Sequence, residues 1–317
     1  MENTMPAIDQ STCQICSAKV ESLTLKCQVR GENFGNEVTF LQCTKCGFTY
    51  APENLHNFSE THDFVGNNCP QEGHGRVGTG SEPGREYFMS VMAKDVLQHA
   101  GLGPRSILIY GPGLSRDYWL LAKQFPEIQV CICDLKNFQN AENFVALEDP
   151  VQFDVVIACE VVEHFTKIMD DFSLLLSKVS KSGIAVLSTN ISDGGALSSL
   201  EYPFIRGHTA YYSGRALALI ARQIDAGLRV DFRVPQAALA QLGPRKRYVL
   251  IYRGKDVASG VADYFSGNLM APSEAMVRPS APIRWWRWLR RQSQSRSNRH
   301  NRTSIGSGPE NDSSTTA

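Results

Sequence analysis

Residues 153–164 read Phe-Asp-Val-Val-Ile-Ala-Cys-Glu-Val-Val-Glu-His, an apolar run of strand length that ends in two carboxylates and an imidazole. Its β-branched residues suit a strand of a parallel sheet covered on both faces. Ionisable groups at the carboxyl end of such a strand sit where open α/β sheets bind ligands. Glu160, Glu163 and His164 are spaced i, i+3, i+4, so a helical turn after Cys159 would project all three from one face as an acid/base or metal-binding cluster. A second group lies near the start of the chain. Cys13-Gln-Ile-Cys16 and Cys43-Thr-Lys-Cys46 are two thiolate pairs separated by enough chain to form a hairpin, and four soft ligands so placed converge tetrahedrally on zinc. A closed four-cysteine site has no open coordination position, so its expected role is structural; the alternative is two surface thiol pairs. Cys27, Cys69, His56, His62 and His74 lack paired spacing and are read as non-ligands.

Positioning these groups requires at least two modules. A chain of 317 residues has room for a main domain, an accessory module and a tail. Its 32 basic and 32 acidic residues balance. The balance is uneven only at the end, where seven arginines and no carboxylate fall between Arg284 and Arg302. Nine cysteines, four of them in Cys-x-x-Cys pairs and Cys131, Cys133 and Cys159 inside expected strands, point to a reduced chain with metal rather than disulfides. The first residues carry neither a basic start nor an apolar core, and no apolar run reaches the roughly 18 residues of a membrane span, so the expected location is cytoplasmic.

The expected organisation is a zinc-binding module over 1–66, a linker or lid rich in Gly, Asn, Pro and Glu over 67–84, and an α/β domain over 85–254. An extension over 255–291 and a disordered tail over 292–317 follow. Arg85–Ala100 has apolar residues at helical spacing and stops at Gly101-Leu-Gly-Pro104. Ser106–Tyr110 is a buried strand followed by Gly111-Pro-Gly113, which permits a tight turn and close backbone approach to a ligand; Ser115 is the expected cap of the next helix. Val130–Asp134 is the second strand, and Asp134 lies about 20 residues after the glycines, the separation suited to gripping a ribose diol. A short third strand is expected at Asn143–Leu147, a helix over Ile168–Val179, and a strand over Ile184–Thr189 after a turn at Lys181-Ser-Gly183. The irregular 190–207 segment is the expected substrate-facing loop. Ser213 caps a helix, and Leu228–Val234 and Arg247–Tyr252 close the sheet.

With these residues in place, the domain from about Arg85 to Tyr252 resembles class I S-adenosylmethionine-dependent methyltransferases. Ile107-Leu-Ile-Tyr-Gly-Pro-Gly113 matches the family's glycine motif, Asp134 its ribose-holding acid, and Phe153–His164 its "FDVV…E-x-x-E-H" stretch; Lys181-Ser-Gly183 and His208-x-x-Tyr-Tyr-Ser213 match later segments. The resemblance implies a Rossmann-like, seven-stranded class I methyltransferase sheet, with the small zinc-ribbon-like module in front. It implies S-adenosylmethionine as cofactor, held by Gly111, Gly113, Asp134 and Glu160, with His164, His208 and Glu163 as catalytic groups. Ile109 stands where most members carry Asp or Glu, and Ser115 where a third glycine is common.

Two cysteine pairs ahead of such a domain also resemble bacterial methyltransferases of sugar and cell-surface glycan biosynthesis, which implies O- or C-methylation of a sugar or glycan precursor. The set Glu160, Glu163, His164 and His208 further resembles the metal-binding set of small-RNA 2′-O-methyltransferases and some quinone O-methyltransferases. That implies a second divalent metal, the alternative being that Glu163 and His164 brace a helix while Glu160 lines the pocket. Two other function classes stand beside methyl transfer: a nicotinamide-dependent oxidoreductase, opposed by Arg116 in place of a third glycine, and a catalytically silent cofactor-binding scaffold, kept open by Ile109. Within the tail, Trp285, Trp288 and Leu289 fall on one helical face with Arg284, Arg287 and Arg291 largely opposite. This suits peripheral contact with the inner face of an anionic membrane through 283–291, with nucleic acid or packing against the domain as alternatives.

Overall fold

The computed structural model describes residues 11–55, 77–192, 194–233 and 246–267, which belong to one unit. Cys69, His56, His62, His74, the basic Trp-rich segment 283–291 and the 292–317 tail lie outside the described residues.

In chain order the strands are Val20–Lys26 (β1), Glu37–Cys43 (β2), Thr49–Tyr50 (β3), Ser106–Tyr110 (β4), Gln129–Cys133 (β5), Phe153–Cys159 (β6), Val179–Ser192 (β7), Ala210–Ser213 (β8), Arg229–Arg233 (β9) and Lys246–Tyr252 (β10). The α-helices are Arg85–His99 (α1), Asp117–Gln124 (α2), Ile168–Ser177 (α3), Gly214–Ile224 (α4) and Lys255–Gly267 (α5). The runs Ile107–Ile109 and Val155–Ala158 are buried on both faces, as apolar parallel strands sandwiched between helices must be. β5, β4, β6 and β7 are parallel neighbours in that order, and β10 closes on β7 antiparallel, with β9 antiparallel outside it.

The connection from β4 crosses to one side, to β5, and the next returns to β6 on the other side. The ends of β4 and β6 therefore flank a topological switch point, where open α/β sheets hold ligands. The expected strand at Asn143–Leu147 is reduced to an isolated parallel bridge between Ile132 and Phe144 beside β5. Too little chain separates Cys133 from Phe153 for a full crossover and strand, so the seventh position of the sheet is held by this bridge.

β7 runs further than expected, because Lys181–Gly183 stays in the strand instead of turning. Gly183 lies at a register irregularity against β6, where a Cβ would come within 2.7 Å of the Asp154 carbonyl. α1 ends as read, with Gly101 at φ 73 and Leu102 N–H returning to the Leu97 carbonyl. α5 was not anticipated. Val257, Val261 and Tyr264 bury its inner stripe, and Gly260 lets it close on α1, where a Cβ would sit 2.4 Å from the Val96 carbonyl.

The cysteine module continues the sheet. β1, β2 and β3 form an antiparallel meander, β3 pairs with β8, and β8 runs parallel to the last residues of β7, Ile191 and Ser192. The module thus hangs from the carboxyl end of a central strand, the same edge that carries the ionisable groups.

Candidate functional site

At the switch point the turn after β4 is a glycine turn in fact. Gly111 and Gly113 both have positive φ, 67 and 55. A Cβ on Gly111 would lie 2.7 Å from a Val161 methyl, so the position demands glycine on backbone and on space. Asp134, directly after β5, turns its carboxylate to the Gly113 N–H at 3.2 Å and to its own neighbour Leu135 N–H at 2.7 Å. Gln139, which sequence reasoning passed over, pins the same turn by donating to the Gly113 and Ser115 carbonyls at 2.8 and 3.0 Å. Ile109 is a buried β4 residue paired between Ile132 and Ile157.

Arg116 holds the cap position of α2 without a side-chain bond, while the Ser115 hydroxyl, one residue earlier than a cap would stand, accepts the Asp117 N–H at a long 3.5 Å. That hydroxyl also donates to Glu86 at 3.0 Å, because a buried carboxyl group faces it. Burial first, and then the charge of Asp117, push Glu86 up to about 8. Asp117 accepts the Gly84 N–H at 2.7 Å and the Tyr87 N–H at 3.0 Å, so the proton of the pair resides on Glu86. This pair fastens residues 77–84, the described part of the expected lid, against the chain following the glycine turn, where Arg116 N–H also donates to the Gly78 carbonyl.

Beyond β6 the expected shared helical face is replaced by a single 3-10 turn, Val162–His164. Glu160 precedes it at φ 56, a left-handed conformation that sends its side chain another way. The Glu160 carboxylate accepts from the Ser188 hydroxyl at 3.0 Å and lies 3.6 Å from the Arg85 guanidinium. Burial works against the Arg85 charge, but Cys159 and the carboxylates of Glu160, Glu86 and Glu163 outweigh it and hold the guanidinium above its ordinary value.

Glu163 and His164 point instead toward His208. Glu163 is fully buried and accepts from the Tyr202 hydroxyl at 2.6 Å. Burial first, then the charges of Glu163 and Glu160, push that hydroxyl well above the ordinary range, so it stays a donor. His164 Nδ1 lies 2.8 Å from the Gly207 carbonyl and His208 Nδ1 2.8 Å from the Tyr202 carbonyl. A carbonyl only accepts, so each Nδ1 carries a proton, and in the neutral ring Nε2 is the nitrogen that accepts. One ligand atom from each of Glu163, His164 and His208 lies within 4.8 Å of the others. Glu160 is not part of that group. Tyr202 was hidden from sequence reasoning inside a loop without period; its only signal was an aromatic residue beside Pro203, ahead of His208.

The four cysteines come together as their spacing requires, with all sulfurs within 4.8 Å. Cys13 and Cys46 sulfurs are 3.6 Å apart, Cys16 and Cys43 3.4 Å, close to the ~3.8 Å edge of a tetrahedron with 2.3 Å zinc–sulfur bonds. Backbone N–H groups of Ile15 and Cys46 approach the Cys13 and Cys43 sulfurs at 3.4 Å, and Gly47 takes the positive φ of 74 that the second turn needs. The hydrogen bond with Cys46 lowers the Cys13 thiol to about 5, while the same bond raises Cys46. The shared hydrogen bond favours a single thiolate in the pair, the form in which cysteine binds metal. Cys27 is buried and its thiol faces the Val29 carbonyl.

No protein-family profile matches the chain, and no curated protein matches it. Among solved structures, the plantazolicin methyltransferase BpumL in complex with SAH aligns at 12% identity over 62% of this chain and 90% of that one, with a TM-score of 0.43. The 1,6-didemethyltoxoflavin-N1-methyltransferase of Burkholderia thailandensis aligns at 16% identity over 67% and 97%, TM-score 0.42. The methyltransferase domain of bacterial CtHen1-C aligns at 13% identity over 53% and 100%, TM-score 0.35. Chemistry for this chain has to come from its own strand order and side chains. Among the described residues no helix is long and apolar enough to cross a membrane.

Proposed function

We propose that the chain is an S-adenosylmethionine-dependent methyltransferase acting on a small-molecule acceptor. The observation that carries this reading is the alignment of Gly111–Gly113, Asp134 and Glu160 along the carboxyl ends of adjacent strands β4, β5 and β6. A glycine turn, a carboxylate already turned to that turn and a second carboxylate across the switch point form the donor set a nucleoside with a ribose diol needs. When bound, the cofactor supplies an electrophilic methyl group on a sulfonium. The chain's own residues do the rest. The glycine turn admits close backbone approach, Asp134 exchanges its backbone bonds for the ribose hydroxyls, and Glu160, held by Ser188 and Arg85, lines the cofactor side. His164 or His208 accepts the acceptor's proton at Nε2, and positioning supplies much of the acceleration.

The order of elements, with two cysteine pairs ahead of the domain, supports a sugar or glycan precursor as the acceptor class to screen first. Zinc at Cys13, Cys16, Cys43 and Cys46 fits the sulfur spacing. Calorimetric titration of metal-analysed protein with S-adenosylhomocysteine, with NADH as control, tests the reading. Micromolar binding of the first alone is expected; binding of NADH alone would overturn it, and binding of neither would favour the silent scaffold.

A second reading is favoured by the grouping of Glu163, His164 and His208. Two neutral imidazoles and one carboxylate fit a divalent Mg, Mn or Zn ion that would lower the pKa of an acceptor hydroxyl, as RNA or quinone O-methylation would need. Glu160 falls out of that ligand set because Ser188 and Arg85 hold it. Manganese titration followed by electron paramagnetic resonance, with H208A as control, distinguishes bound from free ion.

A further inference from the structure

The cysteine module reaches the histidine pair through one side chain. Asn54 closes the short 3-10 turn Pro52–Asn54 that follows β3, and it is 6% exposed. Its amide donates to two carbonyls, Pro203 at 2.8 Å and His208 at 3.1 Å. Its backbone carbonyl accepts the Gly207 N–H at 2.9 Å. One residue of the N-terminal module therefore binds both ends of the 203–208 loop. That loop supplies His208 itself and the Gly207 carbonyl that takes the His164 Nδ1 proton.

Three neighbouring links make the connection a rail rather than a point. Ala51 N–H donates to the Thr209 carbonyl at 2.8 Å, and Thr209 N–H donates to the Glu163 carbonyl at 2.9 Å. The Ser213 hydroxyl donates to the Cys46 carbonyl while capping α4. Phe48, two residues after the last cysteine, packs on Tyr212 with ring centroids 5.4 Å apart, and the Tyr212 hydroxyl donates to the Val162 carbonyl at 2.8 Å. A displacement of the cysteine knuckle would reach the backbone on both sides of Glu163 and His164.

We propose that Asn54 is a positioning residue: through its amide the cysteine module sets the tautomer and spacing of His164 and His208, so the four cysteines serve the site directly. This deepens the methyl-transfer reading and rests on it for the catalytic meaning of the two histidines. Loss of two buried amide donors leaves the Pro203 and His208 carbonyls unsatisfied, a cost large enough to release the loop locally.

The test is nitrogen-15 histidine spectroscopy of the full-length, zinc-loaded protein, with H164Q and H208Q assigning the signals. Wild type should show both rings as the Nδ1–H tautomer and the Asn54 side-chain amide protected from solvent exchange. In N54A the zinc stoichiometry should be unchanged while both Nδ1 protons exchange about 10-fold faster. N54L, close in size but with no donor, should behave like N54A. A folded N54A or N54L with wild-type histidine signals overturns the proposal. Should neither variant fold, rapid exchange of the Asn54 amide in wild type overturns it, and slow exchange supports it. S-adenosylhomocysteine titration of the wild type separates the levels, since failure to bind removes the transfer reading while the histidine signals still decide on Asn54.

Discussion

Single side chains divide between holding the ligand and holding each other. Asp134 accepts two backbone N–H bonds beside the glycine turn, so Asp134→Ala should weaken S-adenosylhomocysteine binding by about 10-fold, the value of one or two polar contacts, with little change in turnover at saturation; calorimetry and steady-state rates read the two effects. His208→Ala should do the reverse, and equal loss of binding and turnover would remove its catalytic assignment. Tyr202→Phe deletes the hydroxyl bonded to the fully buried Glu163. Urea denaturation should show a loss of about 1–3 kcal/mol.

Elements carry the second layer. The turn between β4 and α2 works because Gly111 sits at φ 67 against Val161. Gly111→Ala should therefore cost about 1–3 kcal/mol and lower cofactor affinity together, read by thermal melts with and without S-adenosylhomocysteine. The cysteine knuckle tightens the meander β1–β3, which continues through β8 into β7. Zinc held by the four cysteines would contribute roughly 10–16 kcal/mol of apparent binding energy to folding. Chelation should therefore expose the amides of residues 11–55 to hydrogen exchange and then those of β8, while β4–β6 stay protected; uniform loss of protection would contradict that order.

Stability of the whole molecule should carry the mark of Glu86. Its folded pKa, up to about 8, lies above the ordinary carboxylate value of 4.5, so the folded state binds more protons than the unfolded state between those values. Stability must then fall as pH rises from about 4.5 to 8, with the penalty complete above that range. Glu86→Gln preserves the acceptor for Ser115 and supplies a permanent donor toward Asp117. It should raise the melting temperature at pH 9 relative to wild type and flatten the decline over that window in pH-resolved melts.

The periodicities and spacings of the sequence were enough for the α/β sheet, the glycine turn, the position of Asp134, the cap at Ser213 and the convergence of the four cysteines. Each is a local matter of which residues can enter a strand, a turn or a thiolate pair. The sequence also placed Glu160, Glu163 and His164 together on one helical face. The fold parted them, because the chain after β6 makes a single 3-10 turn and a left-handed Glu160. Tyr202, Arg85, Gln139 and Asn54 could not be found by period or motif. Their roles come from partners distant in the chain, up to 154 residues away for Asn54 and His208, and only the packed sheet edge brings those partners within reach of a hydrogen bond.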